Sequence, residues 1–483
     1  MIRTHTLLLL LVLGYVHAHN ISEKWPNREH RGVWIASVEN IDWPLTRTST
    51  VREQQNQLKY LIGQIHLARL NAVYFQVRPT GDALYSSSIE PWSRYLTGEE
   101  GTPPSPLWDP LRFLIDICRP LSIEVHAWIN PYRANLSPHT DNVAANHMAR
   151  MYPQYAYVYS TYMWMDPGAE VVQNRTTQVA LDLVNRYDLD GLHMDDYFYP
   201  YPVAGWTFPD DATYAAYLST GGSMDRDDWR RDNVNRLIRR LNTEIHATKP
   251  WVKFSVSPFG LYRPGFDQFS QIYCDPIKWL QEGWIDILQP QLYWKIDPPA
   301  QSYPVLLDWW ISSSQNPRVI PVLAGNYLSR VDFDNWPLDE IQRQVEISRD
   351  PENRIRGSVG NVMFSAKMFR DNIEGTTDFF STYIYPHRAL QPIFKSLAIN
   401  PSSEPFAAPK IHFTGRGQLQ VDLNDKIESQ QIHQIAVYIM GDSGWSLFMI
   451  VPIQTEATSI TLELERGRYA ASYVDRIGSE SLK

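Results

Sequence analysis

The sequence predicts a (β/α)8 barrel followed by a small all-β sandwich, and three observations carry that reading. Short β-rich runs alternate with amphipathic helical stretches along most of the chain. After Asn400 the texture changes to closely spaced alternating strands. At 483 residues, the chain is also longer than one ordinary core organises, which points to two domains.

Eight β-rich runs stand out: Arg31–Ser37, Ala72–Arg78, Ile123–Asn130, Gly191–Phe198, Lys253–Phe259, Asp286–Trp294, Arg318–Asn326 and Gly357–Lys367. The stretches between them carry apolar stripes at helical spacing. Leu58, Leu61, Ile62 and Ile65 form one, and Leu111, Leu114, Ile115 and Cys118 another. Val234, Leu237, Ile238, Leu241 and Ile245 form a third. Strands separated by helices pair in parallel through right-handed crossovers, and eight such units close into a TIM-type barrel. Long insertions follow the third and fourth runs, at the strand ends where such barrels build their sites.

Pro401-Ser402-Ser403-Glu404-Pro405 reads as a linker. Six short runs follow it: Lys410–Phe413, Gln418–Leu423, Gln434–Ile439, Ser446–Val451, Ser459–Leu464 and Tyr469–Asp475. The ending from Arg468 onward resembles the last strands of fibronectin type III-like domains, so an immunoglobulin-like sandwich is expected. The expected division is a leader over residues 1–18, a barrel over 19–398 and a sandwich over 399–483. In the leader, Arg3 and His5 precede the apolar run Leu7–Leu13, and Val16-His17-Ala18 fits a small-x-small cleavage site. That pattern predicts an exported protein, periplasmic or secreted. No later apolar run is long enough to span a membrane, and no Cys stands at the cleavage point to take a lipid.

Composition excludes some classes. A net charge of −9 without any long Lys/Arg run argues against a nucleic-acid partner. The only cysteines, Cys118 and Cys274, read as free buried thiols, and no His/Cys cluster has zinc spacing. No metal or cofactor is expected. Much of the high aromatic content, 17 Trp and 27 Tyr, is core packing, while Trp and Tyr outside the core offer flat faces with a polar edge on which sugar rings stack well.

The sharpest local feature is Asp190-Gly-Leu-His-Met-Asp195-Asp196-Tyr-Phe-Tyr. An apolar strand ending in two adjacent carboxylates is costly unless they have partners. Like charges side by side push one pKa upward, which suits acid–base chemistry near neutral pH. The alternative is a solvated pair opening a loop, or one Asp capping a helix. By alternation His193 and Asp195 share a face, and Tyr197 follows. Other strand ends are polar too. The first leads through Glu39 to Asp42 and Trp43, the second runs through Gln76 and Arg78 to Asp82, and the third through His126, Trp128 and Asn130 to Arg133. The sixth ends in Gln291, Tyr293 and Trp294. Together these groups predict a polysaccharide-binding mouth, although His126 alone would fit a core histidine and Asp166 a helix cap.

Six ordered motifs resemble the glycosyl hydrolase-like 10 family over roughly residues 28–395. They are Arg31-Gly-Val-Trp-Ile-Ala with Asp42-Trp-Pro, Phe75-Gln-Val-Arg-Pro-x-Gly, His126-Ala-Trp-x-Asn-Pro-Tyr-Arg, Asp190-Gly with Met194-Asp-Asp-Tyr-Phe-Tyr, Val256-Ser-Pro-Phe-Gly and Gln289-Pro-Gln-Leu-Tyr-Trp. The resemblance implies an exported or lipid-anchored bacterial envelope protein, with at least one branch cutting peptidoglycan strands stripped of their peptides. This chain lacks the anchoring Cys and adds the sandwich that some members lack.

The residues favour no simple two-carboxylate mechanism. An α-amylase-like nucleophile at Asp195 would call for an acid on the fifth strand, which ends Ser255-Val-Ser-Pro-Phe-Gly. An Asp pair with a strand-six Tyr is more similar to substrate-assisted hexosaminidases. That analogy makes Asp196 the acid/base, Asp195 the partner of the 2-acetamido group and Tyr293 its orienter. Asp42, Asp82 and Glu90 stay open as conventional second carboxylates. A glycan-binding protein on an inactive barrel, or a hydrolase of another exopolysaccharide, are the competing expectations.

Overall fold

A computed structural model describes residues 26–481 apart from 263–265, 298–300, 398–406, 414–416, 424–430, 443, 454–456 and 466. The predicted leader and the predicted linker therefore lie outside the described residues.

Each of the eight predicted runs matches one strand of a closed barrel, the first strand starting one residue before its run: β1 His30–Ile35, β2 Ala72–Arg78, β3 Glu124–Ile129, β4 Gly191–Met194, β5 Lys253–Val256, β6 Ile287–Leu288, β7 Val322–Asn326 and β8 Ser358–Met363. Every strand pairs in parallel with its neighbours in sequence, and β8 closes on β1 with Gly32 opposite Val362. The predicted sixth run is much longer than β6. Pro290 has no N–H to give the ladder, so pairing beyond it survives only as bridges from Gln291 to Phe259 and Gly325. β4 likewise ends at Met194, which places Asp195 and Asp196 just beyond the ladder.

The helical stripes pack as predicted. In Val51–Leu67, Thr50 and Glu53 form a capping box, and Leu58, Leu61, Ile62 and Ile65 are buried against the barrel. Leu111, Leu114, Ile115 and Cys118 are buried on Pro110–Cys118, and the third stripe is buried on Arg226–Thr248. The insertion after β3 folds as a small antiparallel sheet of Arg133–Asn135, Tyr162–Met165 and Ala156–Tyr159. Cys118 and Cys274 are buried free thiols.

The lower barrel interior is polar. Lys253 pairs with Glu124 at 2.8 Å, His126 lies 3.0 Å from the same carboxylate, and the Tyr74 hydroxyl contacts His30 at 2.9 Å. Phe394, Leu397 and Ile477 belong to the apolar cluster that lines this interior.

Beyond the barrel, Lys410–Phe413, Gln418–Asp422 and Ser459–Glu463 form one antiparallel sheet. Gly444–Pro452, Ile432–Gly441 and Tyr469–Asp475 form a second, and Leu419, Val421, Ile435, Val437 and Tyr473 share one core. The end of the second sheet docks under the barrel. The Arg476 carbonyl accepts from Lys253 Nζ at 3.1 Å, and its guanidinium pairs with Asp188 and Asp190 at the start of β4. Arg28 pairs with Glu480 at 2.6 Å. Arg476→Ala leaves these partly buried carboxylates with one cation fewer, and a loss of about 1.5–3 kcal/mol in urea unfolding is expected. Turnover of the folded variant should be unchanged, because the strands' other ends carry the mouth.

Candidate active site

Along β4, alternation turns Gly191, His193 and Asp195 inward. Gly191 is required there because a Cβ would come within 2.1 Å of His126 Nδ1. His193 lies buried at mid-height, taking the Trp34 indole N–H on Nε2 at 3.0 Å and contacting Ser255 Oγ through Nδ1 at 2.9 Å. Burial holds its pKa well below the ordinary histidine value, so the ring is neutral.

Asp195 is one step higher and 4% exposed. Trp128 Nε1 donates to Oδ2 at 3.2 Å, Asn130 Nδ2 to Oδ1 at 3.2 Å, and the Tyr197 N–H to Oδ1 at 3.4 Å. Burial raises its pKa to about 7, with the Asp196 charge adding to the rise and Arg133 opposing it. Asp196 is 2% exposed and has a separate set of partners. It accepts from the Tyr201 hydroxyl, and Gln291 also hydrogen-bonds it; burial raises its pKa nevertheless. Tyr293 feels both carboxylates, and its ring packs on Tyr327 with centroids 4.5 Å apart. Two adjacent carboxylates, separately held and both biased toward the protonated form, are thus brought to the mouth with a phenol. That arrangement can donate a proton and accept an N–H at neighbouring points.

Aromatic side chains wall this centre. Tyr197 carries the Arg133 guanidinium over its ring at 4.9 Å. Tyr201 stacks on Phe266 at 4.9 Å, and half-buried Trp294 meets Phe259 edge-on at 5.8 Å. Tyr201 was not anticipated from the sequence. Its signal was the run Tyr197-Phe-Tyr-Pro-Tyr201, in which Phe198 and Tyr199 enter the core while Tyr197 and Tyr201 stay half-buried beside the carboxylates.

Several residues expected at the mouth have other work. Asp42 ties the β1 loop to the β8 loop, accepting from the Ala36 N–H, the Ser365 hydroxyl and the Lys367 N–H, each at 2.7 Å. Its pKa rises to about 6 through burial, but its oxygens are occupied. Trp43 is 1% exposed, donates to the Gln54 carbonyl and packs between Phe75 and Trp108 in the outer core. Gln76 accepts the Ser37 and Val38 N–H groups. Arg78 is fully buried on Glu90 at 2.7 Å, and Arg175 holds the other Glu90 oxygen at 2.8 Å, which corrects Glu90 as a second acid. Asp82 is buried and accepts the Thr80 N–H at 2.8 Å within its own turn. His126 and His193 belong to the barrel's interior rather than its mouth, because inward-facing strand residues fill a barrel of this size. Trp128 and Asn130 reach the mouth and position Asp195; Gln291 does the same for Asp196. Among the described residues, no group of three or more His, Cys, Asp or Glu side chains could hold a metal ion.

Comparison with known proteins agrees with the motifs. The glycosyl hydrolase-like 10 family model matches residues 29–337. The glycosyl hydrolase YngK of Bacillus subtilis is 39% identical over 384 residues, 76% of this chain and 74% of that protein. The glycosyl hydrolase DigH of Escherichia coli K12 is 34% identical over 364 residues, 68% of this chain and 82% of that protein. Among solved structures, the glycoside hydrolase domain of PgaB (BpsB) from Bordetella bronchiseptica aligns with a TM-score of 0.48 at 11% identity, over 74% of this chain and 99% of that one. With a family model covering more than half its length and two relatives above 30% identity, the chain belongs to the glycosyl hydrolase-like 10 family.

Proposed function

We propose that this protein is an exported glycosidase of an amino-sugar polymer, acting on peptide-free peptidoglycan strands by a substrate-assisted mechanism. The observation that carries the reading is the Asp195–Asp196 pair: two buried adjacent carboxylates with separate hydrogen-bond partners and raised pKa values, and no carboxylate at the end of β5.

Asp196 gives its proton to the glycosidic oxygen as the bond to the anomeric carbon breaks. The carbonyl oxygen of the sugar's own 2-acetamido group attacks that carbon and closes a cyclic oxazolinium. Asp195, held by Trp128 and Asn130, accepts the acetamide N–H, and the Tyr293 hydroxyl donates to the acetamide oxygen. Asp196, now a carboxylate, takes a proton from the water that opens the ring, so the configuration is retained. Tyr201 donates to the Asp196 carboxylate and favours its ionised form. Tyr201→Phe removes that donor, so the Asp196 pKa rises further and the alkaline limb of the pH–rate profile should move to higher pH. An unchanged limb would remove Asp196 from the acid role.

The test is digestion of peptide-free strands and their de-N-acetylated counterparts, with products read by mass spectrometry. Cleavage that depends on the N-acetyl group is expected. Equal cleavage of both would overturn the substrate-assisted step, and cleavage of neither would overturn the substrate.

A further inference from the structure

The six arginines buried among the described residues are Arg31, Arg78, Arg133, Arg175, Arg230 and Arg349. Five of them are matched by carboxylates: Arg31 and Arg349 by Glu29, Arg78 and Arg175 by Glu90, and Arg230 by Asp210. Arg133 is the exception. It is 7% exposed, its Nε donates to the Pro79 carbonyl at 3.2 Å, and its guanidinium lies over Tyr197. No carboxylate comes within ion-pair distance of it among the described residues, and its two terminal amino groups make no hydrogen bond there. The residue is otherwise enclosed, and a guanidinium there without a counter-charge is open for a ligand to complete it.

Its position says what that could be. Asn130 Oδ1 accepts the Arg133 main-chain N–H at 2.9 Å, and Asn130 Nδ2 donates to Asp195, so one side chain holds the backbone that carries Arg133 beside the carboxylate pair. The open edge of the guanidinium presents two parallel N–H donors, the geometry that matches a carboxylate bidentately. The Tyr197 ring lies against the guanidinium, with its centroid 4.9 Å from Cζ.

We propose that Arg133 binds a carboxylate carried by the sugar substrate, so that the site takes acidic glycans in preference to neutral ones. The carboxylate can be a lactyl ether on the ring or a C5 uronate. The assignment rests on the glycosidase reading above for its substrate class, and its own chemistry is the unpaired guanidinium.

Four probes separate the outcomes: peptide-free peptidoglycan strands, the same strands with carboxyls reduced to alcohols, chitin oligosaccharides and oligouronides. Wild-type kcat/KM should fall about 10- to 100-fold on reduction of the strands, the range for losing a charge-assisted bidentate contact. R133M should lose the same factor on native strands and lose nothing further on reduced ones, with R133K between them. Competition by oligouronides would assign the uronate, and its absence the lactyl group. Wild-type protein that treats native and reduced strands alike overturns the proposal, as does R133M that keeps the preference. Dissociation constants read by tryptophan fluorescence on both proteins separate the two readings. Carboxylate-dependent binding without cleavage would sink the glycosidase and leave the Arg133 assignment standing. Should R133M fail to fold, the wild-type comparison of native, reduced and chitin ligands decides alone.

Discussion

Replacing Asp196 by Asn should lower kcat on peptide-free strands by about 10²- to 10⁴-fold, the usual contribution of a positioned acid–base group, with affinity for the polymer kept. Asn preserves the shape and still hydrogen-bonds with Tyr201 and Gln291, but it cannot deliver a proton. Asp195→Asn should also lose turnover, because Asn can still accept the acetamide N–H but lacks the negative charge that stabilises the developing oxazolinium. A second measurement reports on Asp195 itself. The Asp195 pKa is raised from 3.8 to about 7 by burial, so the folded state binds the proton more tightly than the unfolded chain. Such a group contributes stability below the unfolded value, and that contribution is lost as pH rises toward the folded value. Wild-type unfolding free energy should therefore decline between pH 3.8 and about 7 by an amount that Asp195→Asn lacks. A variant with wild-type turnover at either position would move the catalytic centre elsewhere.

Glu90→Ala should be strongly destabilising, by about 3–5 kcal/mol in urea unfolding. Its carboxylate, 3% exposed, is shared by the guanidinium groups of Arg78 and Arg175, which bind its two oxygens separately. Removing it leaves two buried cations facing each other without a counter-charge, at the point where the β2 loop meets the helix Glu170–Arg186. Variant that still folds at low temperature should retain kcat, because Glu90 touches neither Asp195 nor Asp196. A large loss of kcat without loss of stability would instead restore Glu90 as a catalytic acid.

Much of this arrangement was legible in the sequence. The eight barrel strands coincide with the eight predicted runs, to within one residue at the start of β1, because strand and helix periodicities are local properties of the chain. The Asp195–Asp196 pair could be singled out because two carboxylates closing an apolar strand violate ordinary patterning. The partners of those carboxylates were less accessible. Trp128 and Asn130 were read as substrate contacts, but they hold Asp195. Tyr201 was missed, since a tyrosine in an aromatic-rich loop looks like core until the loop's path is known.

Sequence alone determined the order of elements, the family and the pair of acids, because each depends on residues near one another along the chain. Tertiary structure decided which polar groups at the strand ends are free. Asp42, Gln76, Arg78 and Glu90 lie within the same polar strand ends and loops as Asp195, yet each is occupied by a backbone or side-chain partner. Arg133 has no such carboxylate. Whether a charged side chain is a bracket or a binding group depends on what the closed barrel brings within about 3 Å of it, and closure joins residues as distant as Asp42 and Ser365.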